Sequence, residues 1–299
     1  MKTLLFTGAS GFLGQNILPI LTNNYSVRTM GLTQDDFYKI NIANEVPELD
    51  ESYDIVLHAA GKAHSVPKTE AENKVFFDVN LHGTKNLCLA LEKSGVPKAF
   101  IFISTVAVYG LDYGEEITED SPLHGTIPYA LSKIQAEQFL IDWCKKHDVI
   151  LGIIRPSLIA GANPPGNLGA MIQGIKSGKY LSIGDGKACK SVLMVEDIAT
   201  LIPLLAAKGG IYNVCDTEQP TFRDLEKIIS KQLGKSLPIS ISYKVAKLLA
   251  GLGDLIGNKS PINSSKLDKI TKSLTFSNEK ARTELGWVPT NVLEHFKIK

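Results

Sequence analysis

Three glycines placed directly behind an apolar strand constrain this chain more than any other feature. The run Leu4-Leu5-Phe6 leads straight into Thr7-Gly8-Ala9-Ser10-Gly11-Phe12-Leu13-Gly14, so a strand at the N-terminus has to turn sharply and continue as a helix. Gly8 serves the tight turn, Gly11 leaves backbone N–H groups open to approach, and Gly14 lets helix and sheet pack closely. Such a turn presents the N-terminus of its helix to an anion, a pyrophosphate above all. Glycines also occupy strand-to-helix turns for geometry alone, so the rest of the chain has to decide between the two readings. The spacing here is three and three, where the commonest dinucleotide fingerprint has two and three.

Beyond the turn, short apolar runs alternate with longer helix-like segments. Ile55-Val56-Leu57 precedes a predicted helix through Val79 to Leu91. Phe100-Ile101-Phe102-Ile103 precedes one from Tyr129 to Trp143, and a strand follows from Val149 to Ile154. This β-α-β alternation, with strands that are almost continuously hydrophobic, predicts an α/β chain with a doubly wound parallel sheet covered on both faces. After Arg155-Pro156 the texture changes to loops, Ala162-Asn163-Pro164-Pro165-Gly166 and Gly184-Asp185-Gly186, before ordered segments resume around Val195 and Ile211-Tyr212-Asn213-Val214. The expected division is a dinucleotide-binding domain over 1–161 plus about 190–216, and a smaller C-terminal substrate-binding lobe over about 162–189 and 217–299. The chain is mostly helical from Thr221 on. Val245 to Ile256 is amphipathic and raises a membrane-surface reading, but Asp254 and the several glycines suit a helix packed within the lobe better.

With 299 residues the chain can bury a large core, and 32 basic against 31 acidic side chains leave a net charge of +1. That balance lacks the basic surplus that binds nucleic acid by counterion release, so the expected partner is a small molecule. Cys88, Cys144, Cys189 and Cys215 are scattered without metal-ligand spacing; no metal is expected, and a reducing cytoplasm suits them. No apolar stretch reaches the roughly 18 residues of a membrane span, so the expectation is a soluble, cytoplasmic protein with no membrane partner.

Tyr129-Ala130-Leu131-Ser132-Lys133 puts a phenol and an ammonium four residues apart, on one face of a helix. A phenol with pKa of about 10 is a poor base at neutral pH, and each unit of lowering requires about 1.4 kcal/mol. A cation near 4 Å contributes on the order of 4 kcal/mol at an effective dielectric of about 20. Lys133 is therefore expected to bring Tyr129 close to neutrality, ready to exchange protons with a ketone or carbinol. Tyr243 and Lys247 repeat the interval. Tyr129 follows a sheet strand and its loop, whereas Tyr243 lies in the late helical lobe and is expected at the surface or in packing.

With these residues the chain resembles the extended short-chain dehydrogenases/reductases, the family of nucleotide-sugar epimerases, dehydratases and ketoreductases. Matching segments run almost end to end: the glycine turn, His58-Ala59-Ala60-Gly61, Asn80 with Gly83-Thr84, Ser104-Thr105-Val106-Ala107-Val108-Tyr109-Gly110, the Tyr129 to Lys133 pair, Arg155-Pro156, Val195-Glu196-Asp197 and Leu285-Gly286-Trp287-Val288-Pro289. The resemblance implies a Rossmann-type sheet domain that binds NAD or NADP across its strand ends, with a C-terminal lobe gripping a nucleotide-sugar substrate. It implies that Thr105 orients the substrate oxygen, that Tyr129 is the general acid/base, and that Lys133 holds the cofactor ribose and lowers the tyrosine pKa. Gly8, Gly11, Phe12, Leu13 and Gly14 would hold the pyrophosphate, Asn41 and Ile42 the adenine side, and Ala59, Ala60 and Gly61 would line the cofactor with Asn80 organising it. It further implies substrate contacts from Asn167, Leu168 and Lys190, and a homodimer through a four-helix bundle built from the segments near Phe76 to Leu91 and Tyr129 to Trp143.

The same resemblance narrows the reaction. Dehydratases of the family carry acidic residues just after the Ser/Thr, where this chain has Val106 and Ala107, so 4,6-dehydration is not expected. Hydride transfer at one carbon remains, as a nucleotide-sugar 4-ketoreductase or, alternatively, a 4-epimerase. Lys190 stands where the family usually has arginine and Leu158 where UDP-galactose 4-epimerase has an asparagine, which favours the reductase. Hydroxysteroid and flavonoid reductases share the catalytic pair, but Lys190 and Asn167 favour a phosphorylated ligand. A cofactor sensor without turnover would commonly lack the tyrosine or the lysine. The choice between NAD and NADP is left open: Gly31 aligns at the end of the second strand, with Arg28 nearby and Asp35 and Asp36 further along in a loop.

Overall fold

Successive residues of a strand face opposite sides of a sheet, and in the first strand both sides are buried. Leu4 and Phe6 enter one apolar cluster with Ile17, Leu57, Ile101, Leu201, Leu205 and Trp287. Leu5 enters another, with Val56, Phe100, Phe102, Leu87, Leu91, Leu140 and Trp143. A sheet with two such faces must carry helices on both.

The computed structural model describes residues 1–63, 65–256 and 262–298. In chain order its first elements are β1 (Thr3–Thr7), α1 (Phe12–Leu21), β2 (Ser26–Gly31), β3 (Tyr38–Lys39), β4 (Ile55–His58), α2 (Glu70–Phe77), α3 (Gly83–Ser94), β5 (Ala99–Ile103), β6 (Gly114–Ile117), α4 (Pro128–His147), β7 (Ile150–Pro156) and β8 (Leu158–Ala160). There follow α5 (Gly166–Lys176), β9 (Ser182–Ile183), β10 (Val192–Met194), α6 (Asp197–Lys208), β11 (Gly210–Val214), α7 (Phe222–Gln232), β12 (Ser240–Ile241), α8 (Tyr243–Ile256), α9 (Ser264–Thr271), β13 (Leu274–Phe276), α10 (Glu279–Leu285) and α11 (Val292–His295). Seven strands form the main sheet in the order β11-β7-β5-β4-β1-β2-β3, all pairs parallel. Helices α1 and α6 cover one face and α3 and α4 the other. The expected α/β class and doubly wound parallel sheet are therefore what the chain adopts.

From β1 the order runs outward through β2 and β3 on one side and through β4, β5, β7 and β11 on the other. The reversal falls between β1 and β4, and crevices of this kind, at the carboxyl ends of the strands, are where such sheets bind ligands. Three two-stranded parallel sheets lie outside the main one: β8 with β10, β9 with β12, and β6 with β13. A separate apolar cluster joins α5, α7 and α11 through Met171, Ile172, Leu225, Ile229, Val292 and Phe296.

Two helices differ from expectation. The predicted helix over Val79 to Leu91 begins at Glu70, and between α2 and α3 the chain makes one wide π-helical turn over Asp78–His82. The apolar periodicity runs on through a π turn, so it left no mark in the sequence. The helix begun at Tyr129 extends to His147, where Asp148 in the left-handed region ends it.

Candidate active site

The glycine turn lies at the reversal of strand order and is packed there to the limit. Gly8 has φ of +79°, and a Cβ on it would stand 2.6 Å from the Ala60 nitrogen; one on Gly14 would stand 2.2 Å from the Ala9 carbonyl oxygen. Gly11 is different: a Cβ there meets only the Gly8 carbonyl oxygen, at 3.3 Å, so its space lies toward the crevice. Gly11 caps α1 with no side-chain hydrogen bond, leaving the first N–H groups of the helix for an anion. Phe12 and Leu13 form the first turn of α1 and pack against the core.

Opposite the turn, β4 ends at His58 and the chain continues as Ala59-Ala60-Gly61. His58 is completely buried, with Nδ1 2.6 Å from the Thr7 hydroxyl and Nε2 2.9 Å from that of Thr84. Burial holds its pKa down to about 3, so it is a neutral strut between β1, β4 and α3. The π turn brings Asn80 across this floor. Its Oδ1 accepts from the Lys62 N–H at 2.7 Å, and its Nδ2 donates to the Ser132 hydroxyl at 2.9 Å and to the Lys62 carbonyl at 3.2 Å. A Cβ on Gly61 would lie 3.0 Å from Asn80 Oδ1 and 3.3 Å from Lys133 Nζ, so Gly61, Asn80 and Lys133 border one space.

At the outer end of the crevice, Asp36 folds back over the end of β2. Its Oδ2 accepts from the Thr33 N–H at 2.9 Å and the Thr33 hydroxyl at 2.7 Å, and lies 2.6 Å from where a Gly31 Cβ would stand. The loop position of Asp36 in the sequence gave no sign of this return. Arg28 pairs with Glu51 at 2.9 Å and lies over the Phe37 ring, and so is engaged elsewhere. Ile42 is buried against Gly83, and Asn41 closes its own turn through Ala43. Glycines without room for side chains, an open helix terminus and a carboxylate at the end of β2 together fit an adenine dinucleotide.

Tyr129 is the second residue of α4, which opens on Pro128, a residue suited to the first helical turn. Thr105, just past β5, caps a short 3₁₀ turn over Val106–Tyr109 by accepting from the Ala107 N–H at 3.1 Å. Burial is the larger influence on Tyr129 and pushes its pKa up, while the Thr105 hydroxyl beside it favours the phenolate. Lys133 is buried as well, and its Nζ donates to the Ile103 carbonyl at 2.8 Å and sits over the Phe102 ring. Burial lowers its pKa to about 8, partly opposed by the Glu137 charge. The expected direct lowering of the tyrosine by the lysine is not what the geometry gives. One helical turn puts the two on one face, but the lysine stem carries its ammonium past the phenol toward Ile103 and Gly61.

One turn beyond Lys133, Glu137 makes a buried two-point pair with Arg155 of β7, at 2.6 and 3.1 Å, and accepts from the Ser104 hydroxyl. Arg155 also donates to the Tyr109 hydroxyl at 3.0 Å, which donates to Asn213 of β11 at 2.7 Å. This brace fixes α4 to β5, β7 and β11, so Tyr129 and Lys133 stand on a clamped helix. Glu137 was not singled out from the sequence, although its four-residue step from Lys133 marks the same helix face.

The expected substrate contacts are spread along the lobe. Asn167 is exposed near the start of α5, but Leu168 is buried in the cluster of that helix, which leaves only its main chain for a ligand. Lys190 donates to the Lys272 carbonyl at 3.0 Å and lies over Phe222. Burial brings its pKa to about 8, with Asp112 raising it and Lys269 lowering it further. Leu158 is in β8, partly buried against the same cluster. Tyr243 and Lys247 are exposed. Among the described residues no helix is long and apolar enough to cross a membrane.

A family model for the NAD dependent epimerase/dehydratase family matches residues 4–215. The chain is 30% identical to the N-acetyl-alpha-D-glucosaminyl-diphospho-ditrans,octacis-undecaprenol 4-epimerase of Escherichia coli O157:H7, over 94% of this chain and 88% of that one. It is 27% identical to the GDP-6-deoxy-D-mannose reductase of Pseudomonas aeruginosa, over 77% and 79%. Among solved structures, that of RMD from Pseudomonas aeruginosa complexed with NADPH superposes with a TM-score of 0.73 at 22% identity, covering 99% of this chain and 96% of that one.

Proposed function

Because the chain belongs to the NAD-dependent epimerase/dehydratase family and is an NAD(P)-dependent enzyme, we propose that it reduces the 4-keto group of a nucleotide sugar. The observation that carries this reading is the resting state of Tyr129. Its phenol is kept protonated by burial beside the Thr105 hydroxyl, and the Lys133 ammonium is bonded to Ile103 instead. A protonated phenol is an acid, and reduction of a ketone needs an acid first.

When bound, the nicotinamide supplies the hydride that reaches the ketone carbon. Thr105 and Tyr129 hold the ketone oxygen between their hydroxyls, and as the C–H bond forms Tyr129 gives its proton to that oxygen. Lys133 would hold the cofactor ribose. Gly8, Gly11 and Gly14, with the Phe12 and Leu13 N–H groups, hold the pyrophosphate. Ala59, Ala60, Gly61 and Asn80 form the wall of the nicotinamide side, and Asn41 and Ile42 border the adenine. Asp36, at the end of β2, accepts from a ribose hydroxyl and repels a 2′-phosphate, which favours NAD over NADP. Val106 and Ala107 cannot move a proton, so water is not eliminated across the ring.

On the substrate side, Asn167, the Leu168 main chain and Lys190 take the diphosphate. An epimerase must keep that anchor while the keto sugar turns over. A lone lysine with its pKa near 8, already bonded to a carbonyl, suits a single hydride transfer better. The 4-epimerase reading is supported by the Escherichia coli relative, whose diphosphate is carried by undecaprenol rather than a nucleoside. The test is to incubate the protein with UDP-, dTDP- and GDP-sugars, their 4-keto forms and an undecaprenyl-diphospho sugar, following nicotinamide absorbance and product identity. Stoichiometric consumption of reduced cofactor with a 4-keto sugar is expected. Interconversion of two epimers with no absorbance change establishes the epimerase instead.

A further inference from the structure

We propose that α8 docks the protein on an anionic lipid bilayer. The helix is amphipathic, as the sequence predicts: the small residues face inward and the leucines face out. Ala246, Ala250 and Gly253 are buried, against a cluster that includes Ile183 and Leu267. Val245, Leu248, Leu249, Leu252 and Leu255 repeat at intervals of three and four and form a second stripe. All five are exposed, Leu248 by 69%, Leu252 by 57% and Leu255 by 86%. Packing the helix needs none of these leucines, so folding alone does not account for the stripe. The one acidic residue of the helix, Asp254, accepts from both the backbone N–H and the hydroxyl of Ser264, tying the helix to α9.

Charge selects the occupant. From Gly234 to Ser273 the chain has seven lysines and two aspartates, with no arginine or glutamate, in a protein whose whole net charge is +1. Lys244 and Lys247 are exposed along one flank of the stripe and make no ion pair among the described residues. A surface for a second protein is depleted of charge at its centre and matched in shape. A leucine stripe edged by lysines is instead the pattern that lies in a lipid interface, held by buried apolar area and by anionic headgroups. α8 packs against α9, and Lys272, which caps the end of α9, accepts at its carbonyl from Lys190. The link from docking to the lysine assigned above to the diphosphate rests on the functional reading; the docking itself does not.

The experiment is cosedimentation of the full chain with vesicles of phosphatidylcholine containing phosphatidylglycerol, against phosphatidylcholine alone. Binding is expected to the anionic vesicles and to weaken with salt. Leu248→Ser/Leu252→Ser/Leu255→Ser and, separately, Lys244→Glu/Lys247→Glu are each expected to lower the bound fraction by about tenfold or more, with unchanged melting temperature. The lysine variant leaves the apolar stripe intact and keeps the test open if the triple variant fails to fold. Absence of wild-type binding, or binding that both variants retain, overturns the proposal. So does a loss of self-association in the triple variant without vesicle binding by the wild type, which assigns α8 to a second copy. Sedimentation is read without turnover, so its failure leaves the reductase reading standing, and failure of that reading leaves the sedimentation result standing.

Discussion

A phenol held neutral and an ammonium held near its titration point give this site a definite pH behaviour. Lys133 is assigned to the cofactor ribose as an ammonium, so kcat/KM for reduction is expected to be level through neutral pH and to fall above about 8, where Lys133 loses its charge. The reverse oxidation needs Tyr129 as a phenolate, and because burial raises that pKa it is expected to stay low through neutral pH; identical pH profiles in the two directions would remove Tyr129 from its role. Tyr129→Phe is expected to cost on the order of a thousandfold in kcat while cofactor affinity, measured by fluorescence titration, stays within a few-fold. Lys133 also bears on stability. Its folded pKa of about 8 lies below the ordinary 10.5, so between those values the unfolded chain binds the proton that the folded one has released, and stability rises with pH across that window. Lys133→Met removes this dependence. Melting curves should show the wild type gaining on the variant from pH 8 to 10.5, by on the order of 3 kcal/mol, and a constant gap would contradict the buried charge. At Asp36, replacement by Ala is expected to lower kcat/KM with NADH about tenfold and spare NADPH; equal losses with both would deny it the ribose. Tyr129 and Lys133 were singled out from the sequence because a motif at fixed spacing carries them, and Thr105 because of the family resemblance. Asp36 was not, because its return over Gly31 is made by a loop whose path no periodicity encodes.

At the scale of elements, α4 is the part on which the site depends, and the Glu137–Arg155 brace holds it. Removing one partner of a buried pair leaves the other charge without compensation, at a cost of about 3–5 kcal/mol. Glu137→Ala should therefore lower the denaturant midpoint by a corresponding amount, and a change of under about 1 kcal/mol would mean that water reaches Arg155. The π turn of Asp78–His82 has a comparable local role, since the wider turn is what carries Asn80 to Lys62 and Ser132. Both devices escaped the sequence for one reason: hydrophobic periodicity reports which face of an element is apolar, and neither a buried charge pair nor one extra residue in a turn disturbs that pattern much. In α8 the same pattern marked an amphipathic helix without telling which face is covered, because it measures segregation of apolar residues and does not say which side the protein covers.

For the whole molecule, the strand alternation was enough to foresee a parallel, doubly covered sheet, because strands buried on both faces must be almost continuously apolar. The order of the strands was not read from the sequence; the structure places the glycine turn at the reversal between β1 and β4. Less legible were the small outer sheets, whose strands are only two to four residues long. We further propose a homodimer through α3 and α4, whose outer groove includes Leu89, Phe139 and Trp143. Light scattering should give twice the chain mass, and Leu89→Arg should give a monomer; a monomeric wild type would refute it. The parallel sheets have a kinetic consequence too. Among the described residues every strand pair is parallel, and β13 meets β6 with Leu274 opposite Gly114, so no hairpin is available there as a local starting point. Apart from β2 with β3, where Met30 pairs with Tyr38, the pairings must wait for segments that are remote along the chain, and closing such loops before any contact rewards them is slow. Refolding from denaturant should accordingly populate a collapsed, helix-containing species first, and the sheet should close last, as a late phase in near-ultraviolet circular dichroism.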